Sequence, residues 1–171
     1  MATKNIRKIV NIQELNSTNF NRYGEVIECN QHDFFYINQR HTERYHAIAE
    51  HHVDDHAHVG ISIFRNIKQT ELPFNIQMLE RHPLGSQAFI PMTGQKFLII
   101  VAPALTQDQP DLSRLQAFIS NGTQGVNYQA GTWHHPLLTL EAPSLFSVID
   151  RIGDGNNCDV YNFPFSITVC T

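Results

Sequence analysis

The sequence predicts an all-β domain, a barrel or sandwich with one or two short helices, and three observations carry that expectation. Extended segments recur at short, regular intervals and are punctuated by Pro, Gly and Asn, the rhythm of strands joined by tight turns. Lys96-Phe97-Leu98-Ile99-Ile100-Val101-Ala102 is a continuous apolar run rich in β-branched residues, as a strand buried on both sides requires. Phe74, Ile76, Met78, Glu80 and His82 fall on alternate positions, so an extended segment would place three apolar side chains, then a carboxylate and an imidazole, on one face.

Length and composition narrow the classes. At 171 residues the chain suits one well-cored domain, taken as 1–171. The net charge of −4 offers no basic footprint for nucleic acid or an anionic membrane. No apolar run reaches bilayer length, and Met1-Ala2-Thr3-Lys4-Asn5 is not followed by a signal-peptide core, so the expected location is cytoplasmic. Cys29, Cys158 and Cys170 lie far apart without a C-x-x-C pair, which points to free thiols.

Taken in order, Asn16 to Gly24 is a short helix with Asn16 or Ser17 as cap and Gly24 as stop. Glu25-Val26-Ile27-Glu28 is a strand, and Phe34 and Phe35 read as core aromatics. His41 to His58 is polar and rich in histidine, including His51-His52 and His56-Ala57-His58. It reads as a solvated hairpin tip, with His46 the exception. Ile61, Ile63 and Arg65 share a strand face, where the arginine either snorkels out or meets an anion. Pro110 to Arg114 is a helical turn, Leu115 to Ser120 a strand, and Asn121-Gly122 a hairpin turn. A late strand covers Leu145 to Asp150, and the tail offers Val160, Phe163, Phe165, Ile167 and Val169 to cover an edge or a neighbouring subunit.

The segment Glu80 to Gly94 carries the chemistry. Pro83-Leu84-Gly85-Ser86 turns the chain, so the next strand can bring Gln87 back beside Glu80 and His82. Ionisable groups inside an apolar barrel are costly unless paired or bound. Glu80, His82 and Gln87, with His134 where a cupin-like spacing brings it to the same pocket, could hold a divalent ion of the first transition row, or Glu80, His82 and His134 could act as a metal-free acid/base site, with His134 and Glu80 moving protons. His135 points away from His134 in an extended strand.

The spacing from Glu80 to Gly94 resembles the first cupin motif, H-x-H-x4-E-x6-G, with Glu80 and Gln87 as departures. Gln129-Ala130-Gly131-Thr132-Trp133-His134 resembles the second, P-x-G-x2-H, with Gln in place of Pro. Asp33-Phe34-Phe35, Glu43-Arg44-Tyr45-His46, Asn121 to Tyr128, Trp133-His134-His135-Pro136 and Ile149-Asp150-Arg151 complete a likeness to the ureidoglycolate lyases over nearly the whole chain. That resemblance implies a cupin-like jelly roll, a usual homodimer, nickel as a candidate ion, and an enzyme of allantoin breakdown. Its substrate would be ureidoglycolate, cleaved at a C–N bond to glyoxylate and urea. Glu80, His82 and His134 would be catalytic. Arg65 is the best-placed cation for the substrate carboxylate, with Arg151 and Lys96 behind it, and Gln87 could read the urea amide. An amidohydrolase releasing ammonia and a non-catalytic cupin binding a small carboxylate are the competing readings.

Overall fold

A computed structural model describes residues 8–171; the N-terminal stretch Met1 to Asn5 read above lies outside them. The strands are β1 (Lys8–Glu14), β2 (Gly24–Ile27), β3 (Phe35–Ile37), β4 (Thr42–Arg44), β5 (His58–Asn66), β6 (Phe74–Arg81), β7 (Gln87–Pro91) and β8 (Phe97–Ala102). They continue as β9 (Ala104–Thr106), β10 (Gln109–Pro110), β11 (Gln116–Ile119), β12 (Gly125–Tyr128), β13 (Trp133–His134), β14 (Leu138–Thr139), β15 (Ser144–Ile152) and β16 (Asp159–Cys170). The one α-helix among the described residues, α1 (Ser17–Phe20), is shorter than the sequence predicts, but Asn16 caps it and Asn19 completes the capping box.

The fold is all-β and cupin-like. β11, β1, β16, β6, β13 and β8 are successive neighbours, and β8 pairs back onto β11, so six strands close a barrel with no free edge. A second, five-stranded sheet has the order β2-β12-β7-β15-β5. β8 serves both cores. Ile100 and Ala102 face the barrel interior with Leu79, Ala117, Trp133, Phe163, Ile167 and Val169. Phe97, Ile99 and Val101 face the second sheet and meet Phe89, Val126, Tyr128, Phe146 and Val148. The central, fully buried strand expected from the apolar run is observed.

Several local expectations are corrected. Ile76 and Leu79 both enter the barrel core, and residues three apart cannot share a face of a regular strand. The alternation therefore breaks before Glu80, beside an irregularity in β16 between Asn162 and Ile167. Asn121-Gly122 is a corner between sheets and not a hairpin, because β11 pairs with β8 and β1 whereas β12 pairs with β2 and β7. The tail is barrel wall: Ile167 and Val169 are fully buried between β1 and β6. Phe34 and Phe35 are exposed, not core.

Candidate active site

Two sequence-distant turns are tied together before any side chain is considered. The amide of Gly131 donates to the carbonyl of His82 at 2.8 Å, and Gly131 has φ +79°, a conformation that glycine adopts without strain. This bond fixes the end of β6 against the start of β13, where His134 stands in register with Glu80.

The three head groups converge. Glu80 Oε1 lies 3.8 Å from His134 Nε2 and 4.0 Å from His82 Nε2, and the two imidazole centroids are 5.3 Å apart. Each ring is oriented through its other nitrogen: His82 Nδ1 donates to the carbonyl of Asn157 at 2.5 Å, and His134 Nδ1 to that of Thr132 at 2.8 Å. A carbonyl can only accept, so both Nε2 atoms present lone pairs. Both are buried without a hydrogen-bond partner. Tyr128 from the second sheet stacks on His134 at 4.3 Å and 11°, which closes one wall.

Burial sets the protonation states. It raises the Glu80 carboxyl above its ordinary range, with His82 opposing, and the Cys158 thiol 3.9 Å away also opposes. It lowers His134 to about 3, so that ring is neutral at pH 7. Three acceptor groups facing one another are unfavourable unless a proton on Glu80 or a cation lies among them. Glu80, His82 and His134 place donor atoms within 4.8 Å of one another, a nitrogen and oxygen set that fits a divalent transition ion.

The family model of ureidoglycolate lyase matches residues 7–170. The chain is 49% identical to the ureidoglycolate lyase of Pseudomonas savastanoi pv. phaseolicola, covering 94% of this chain and 93% of the relative. It is 48% identical to that of Azotobacter vinelandii, over 91% of this chain and 93% of the relative. The same identity holds to that of Salmonella paratyphi B, over 88% of this chain and 91% of the relative. The chain belongs to the ureidoglycolate lyase family.

The remaining residues singled out in this ureidoglycolate lyase family member are dispersed. Gln87 stays close: it pairs with Tyr128 across β7 and β12, and its Nε2 donates to Asp150 at 3.4 Å while its Oε1 is buried without a partner. Arg65 is not brought to the cluster. It lies with Ile61 and Ile63 on the exposed outer face of β5, because the inner face of that strand is taken by Phe64 against Phe89. Arg151 is committed elsewhere, to Asp54 and to the carbonyls of Gly153 and Asp154. Lys96 lines a separate cavity with Glu14 and Glu28. His51 departs from the solvated reading, since its Nδ1 meets Ser86 Oγ at 3.1 Å, whereas His41, His52, His56 and His58 are exposed. His135 packs on Phe74, away from the site.

Sequence reasoning missed Cys158, Asn157 and Asp150. Asp150 is legible in strand phase, following Phe146 and Val148 on the inner face. Cys158 and Asn157 reach the site only because β16 runs beside β6, a long-range pairing with no local signal.

Proposed function

We propose that this protein is a ureidoglycolate lyase that cleaves the C–N bond of ureidoglycolate to glyoxylate and urea. The observation that carries the reading is the convergence of Glu80 with two buried, unpartnered Nε2 lone pairs, in a chain that shares about half its residues with relatives bearing that name. The substrate carries a carboxylate, a hydroxyl and a ureido nitrogen on one tetrahedral carbon. The reaction needs a base for the hydroxyl proton and an acid for the leaving nitrogen, and it consumes no water.

Glu80 takes the hydroxyl proton, because its raised proton affinity makes it a better base than His134, whose affinity is lowered. As the hydroxyl becomes a carbonyl, the C–N bond breaks. The proton held by Glu80 then passes to the departing urea nitrogen, so one carboxyl serves both transfers. His82 and His134 orient the substrate through their Nε2 acceptors, and Gln87 contributes its free amide oxygen to a urea N–H. Alternatively, the same Glu80, His82 and His134 donor atoms would hold a divalent ion such as nickel, which would supply Lewis-acid polarisation of the substrate in place of those hydrogen bonds.

We further take residues 1–171 to act as one cupin-like domain within a homodimer. Val59, Ile61 and Ile63 support the dimer, since they leave an apolar stripe exposed along the edge strand β5. Three free cysteines support a reducing, cytoplasmic setting. Among the described residues, no helix is long and apolar enough to cross a membrane.

Urea, glyoxylate and ammonia should be measured from each ureidoglycolate enantiomer, before and after chelation and metal add-back. Equal urea and glyoxylate from one enantiomer is the expected result. Ammonia in place of urea makes the protein a hydrolase, and binding without turnover makes it a non-catalytic cupin.

A further inference from the structure

One transverse row of side chains crosses the inner face of the second sheet beside the crevice. Tyr128 on β12 pairs with Gln87 on β7, and the register that sets Ile149 beside Ala88 brings Asp150 of β15 beside Gln87 one step further on. Each of the three stands two positions from an inner-face residue, Val126, Phe89 or Val148, so all point the same way. Tyr128 stacks on His134 at 4.3 Å. The row is therefore the wall of the crevice that the second sheet supplies.

The backbone at Gln87 starts from a fixed point. The Ser86 amide donates to the carbonyl of His52 at 2.9 Å, and the His52 amide donates to Ser86 Oγ, also at 2.9 Å. Gln87 itself is 7% exposed. What backbone and burial leave open is which end of its amide faces the crevice, because the two ends are alike in shape and opposite in function. Asp150 decides between them. Gln87 Nε2 donates to Asp150 Oδ2 at 3.4 Å, a carboxylate only accepts, and the reversed amide would set oxygen against oxygen. Gln87 Oε1 is left buried with no partner, a cost that calls for a ligand.

That oxygen defines the ligand group. A buried acceptor is satisfied by an N–H or O–H and loses its hydrogen bond altogether against a methyl group. The ureido end of ureidoglycolate offers a terminal NH2, whereas its carboxylate is repelled by Asp150. The pair thus orders the substrate end to end.

We propose that Asp150 is a positioning residue that locks the Gln87 amide with its oxygen turned into the crevice, so that Gln87 selects substrates ending in a primary amide NH2. The proposal rests on the lyase reading above and deepens it by naming the pair that sets specificity at the ureido end.

Two inert probes test it by calorimetry on the full chain. N-carbamoylglycine and N-acetylglycine lack the hydroxyl, so neither can be cleaved, and they differ only in an NH2 exchanged for a CH3. The wild type should bind the first at least about tenfold more tightly, and Q87L should bind both alike. D150A should reduce the preference by about threefold or more. Q87E sets two carboxylates side by side and should lose it. Q87E/D150N keeps the shape and total charge but reverses the pair: the amide at position 150 donates to the carboxylate at position 87, whose second oxygen again faces the crevice as an acceptor. The double variant should regain the preference to within about threefold of the wild type, with KM for ureidoglycolate rising in Q87E and recovering alongside it. A wild type that binds both probes equally, a D150A protein with the full preference, or a folded Q87E/D150N no better than Q87E overturns the proposal. A wild type that prefers N-carbamoylglycine yet releases no urea overturns the lyase reading instead, so the two failures are distinguishable.

Discussion

Glu80 and His134 face each other in direct register across β6 and β13, with 3.8 Å between Oε1 and Nε2, yet the imidazole nitrogen on that side carries no proton to donate. The pair is poised for a shared proton or cation and is not a settled ion pair.

Replacing Glu80 with Gln keeps the shape and removes the proton carrier. Urea release from E80Q should fall by about 100-fold to 10,000-fold with an unchanged circular dichroism spectrum. Near-normal turnover would take Glu80 out of the mechanism.

The same carboxyl should report on stability. Its proton affinity is higher in the fold than in the unfolded chain, so its favourable contribution is complete below the ordinary carboxylate range and is lost as pH rises through the folded value. Metal-free E80Q should therefore gain in Tm over the wild type as pH rises from 4 to 8. A gap that shrinks over that range contradicts the assignment.

His134 works in the opposite direction. Its affinity falls from 6.5 to about 3 on folding, so the contribution is complete above 6.5 and is lost progressively as the pH drops towards 3. In metal-free protein, H134Q should show a flatter dependence of Tm on pH across that window than the wild type does.

Metal binding is expected to need both imidazoles. Nickel or another divalent ion added to stripped protein should raise the wild-type Tm with one ion per chain. H82A should weaken binding by at least about tenfold, read by calorimetry independently of activity.

Arg151 should behave as a structural residue. R151A should lower Tm by about 5 °C, because Asp54 and two loop carbonyls lose their donor, while KM changes little. A large rise in KM at unchanged Tm would return Arg151 to the substrate.

The strand rhythm, the buried run of β8 and the shared face of Glu80 and His82 were readable from residue spacing, whereas His134 joined them only through its likeness to the second cupin motif. That success came despite a broken alternation in β6, because Glu80 and His82 lie beyond the break and keep phase with each other. The cations were not readable. Arg65 shares a face with Ile61 and Ile63 as alternation requires, but alternation cannot say which face is inward. Phe34 and Phe35 look like core in one dimension, and only the isolation of their hairpin shows them outside it.

β1, at the start of the chain, lies between β11 and β16, parallel to both. The barrel cannot close until its last strand, ending at Cys170, has left the ribosome. β1 therefore waits through the synthesis of every strand between it and β16, and loss of Ile167 to Cys170 would reopen the seam along Lys8 to Asn11. Such distant closure favours slow folding and makes the nascent chain dependent on protection from aggregation.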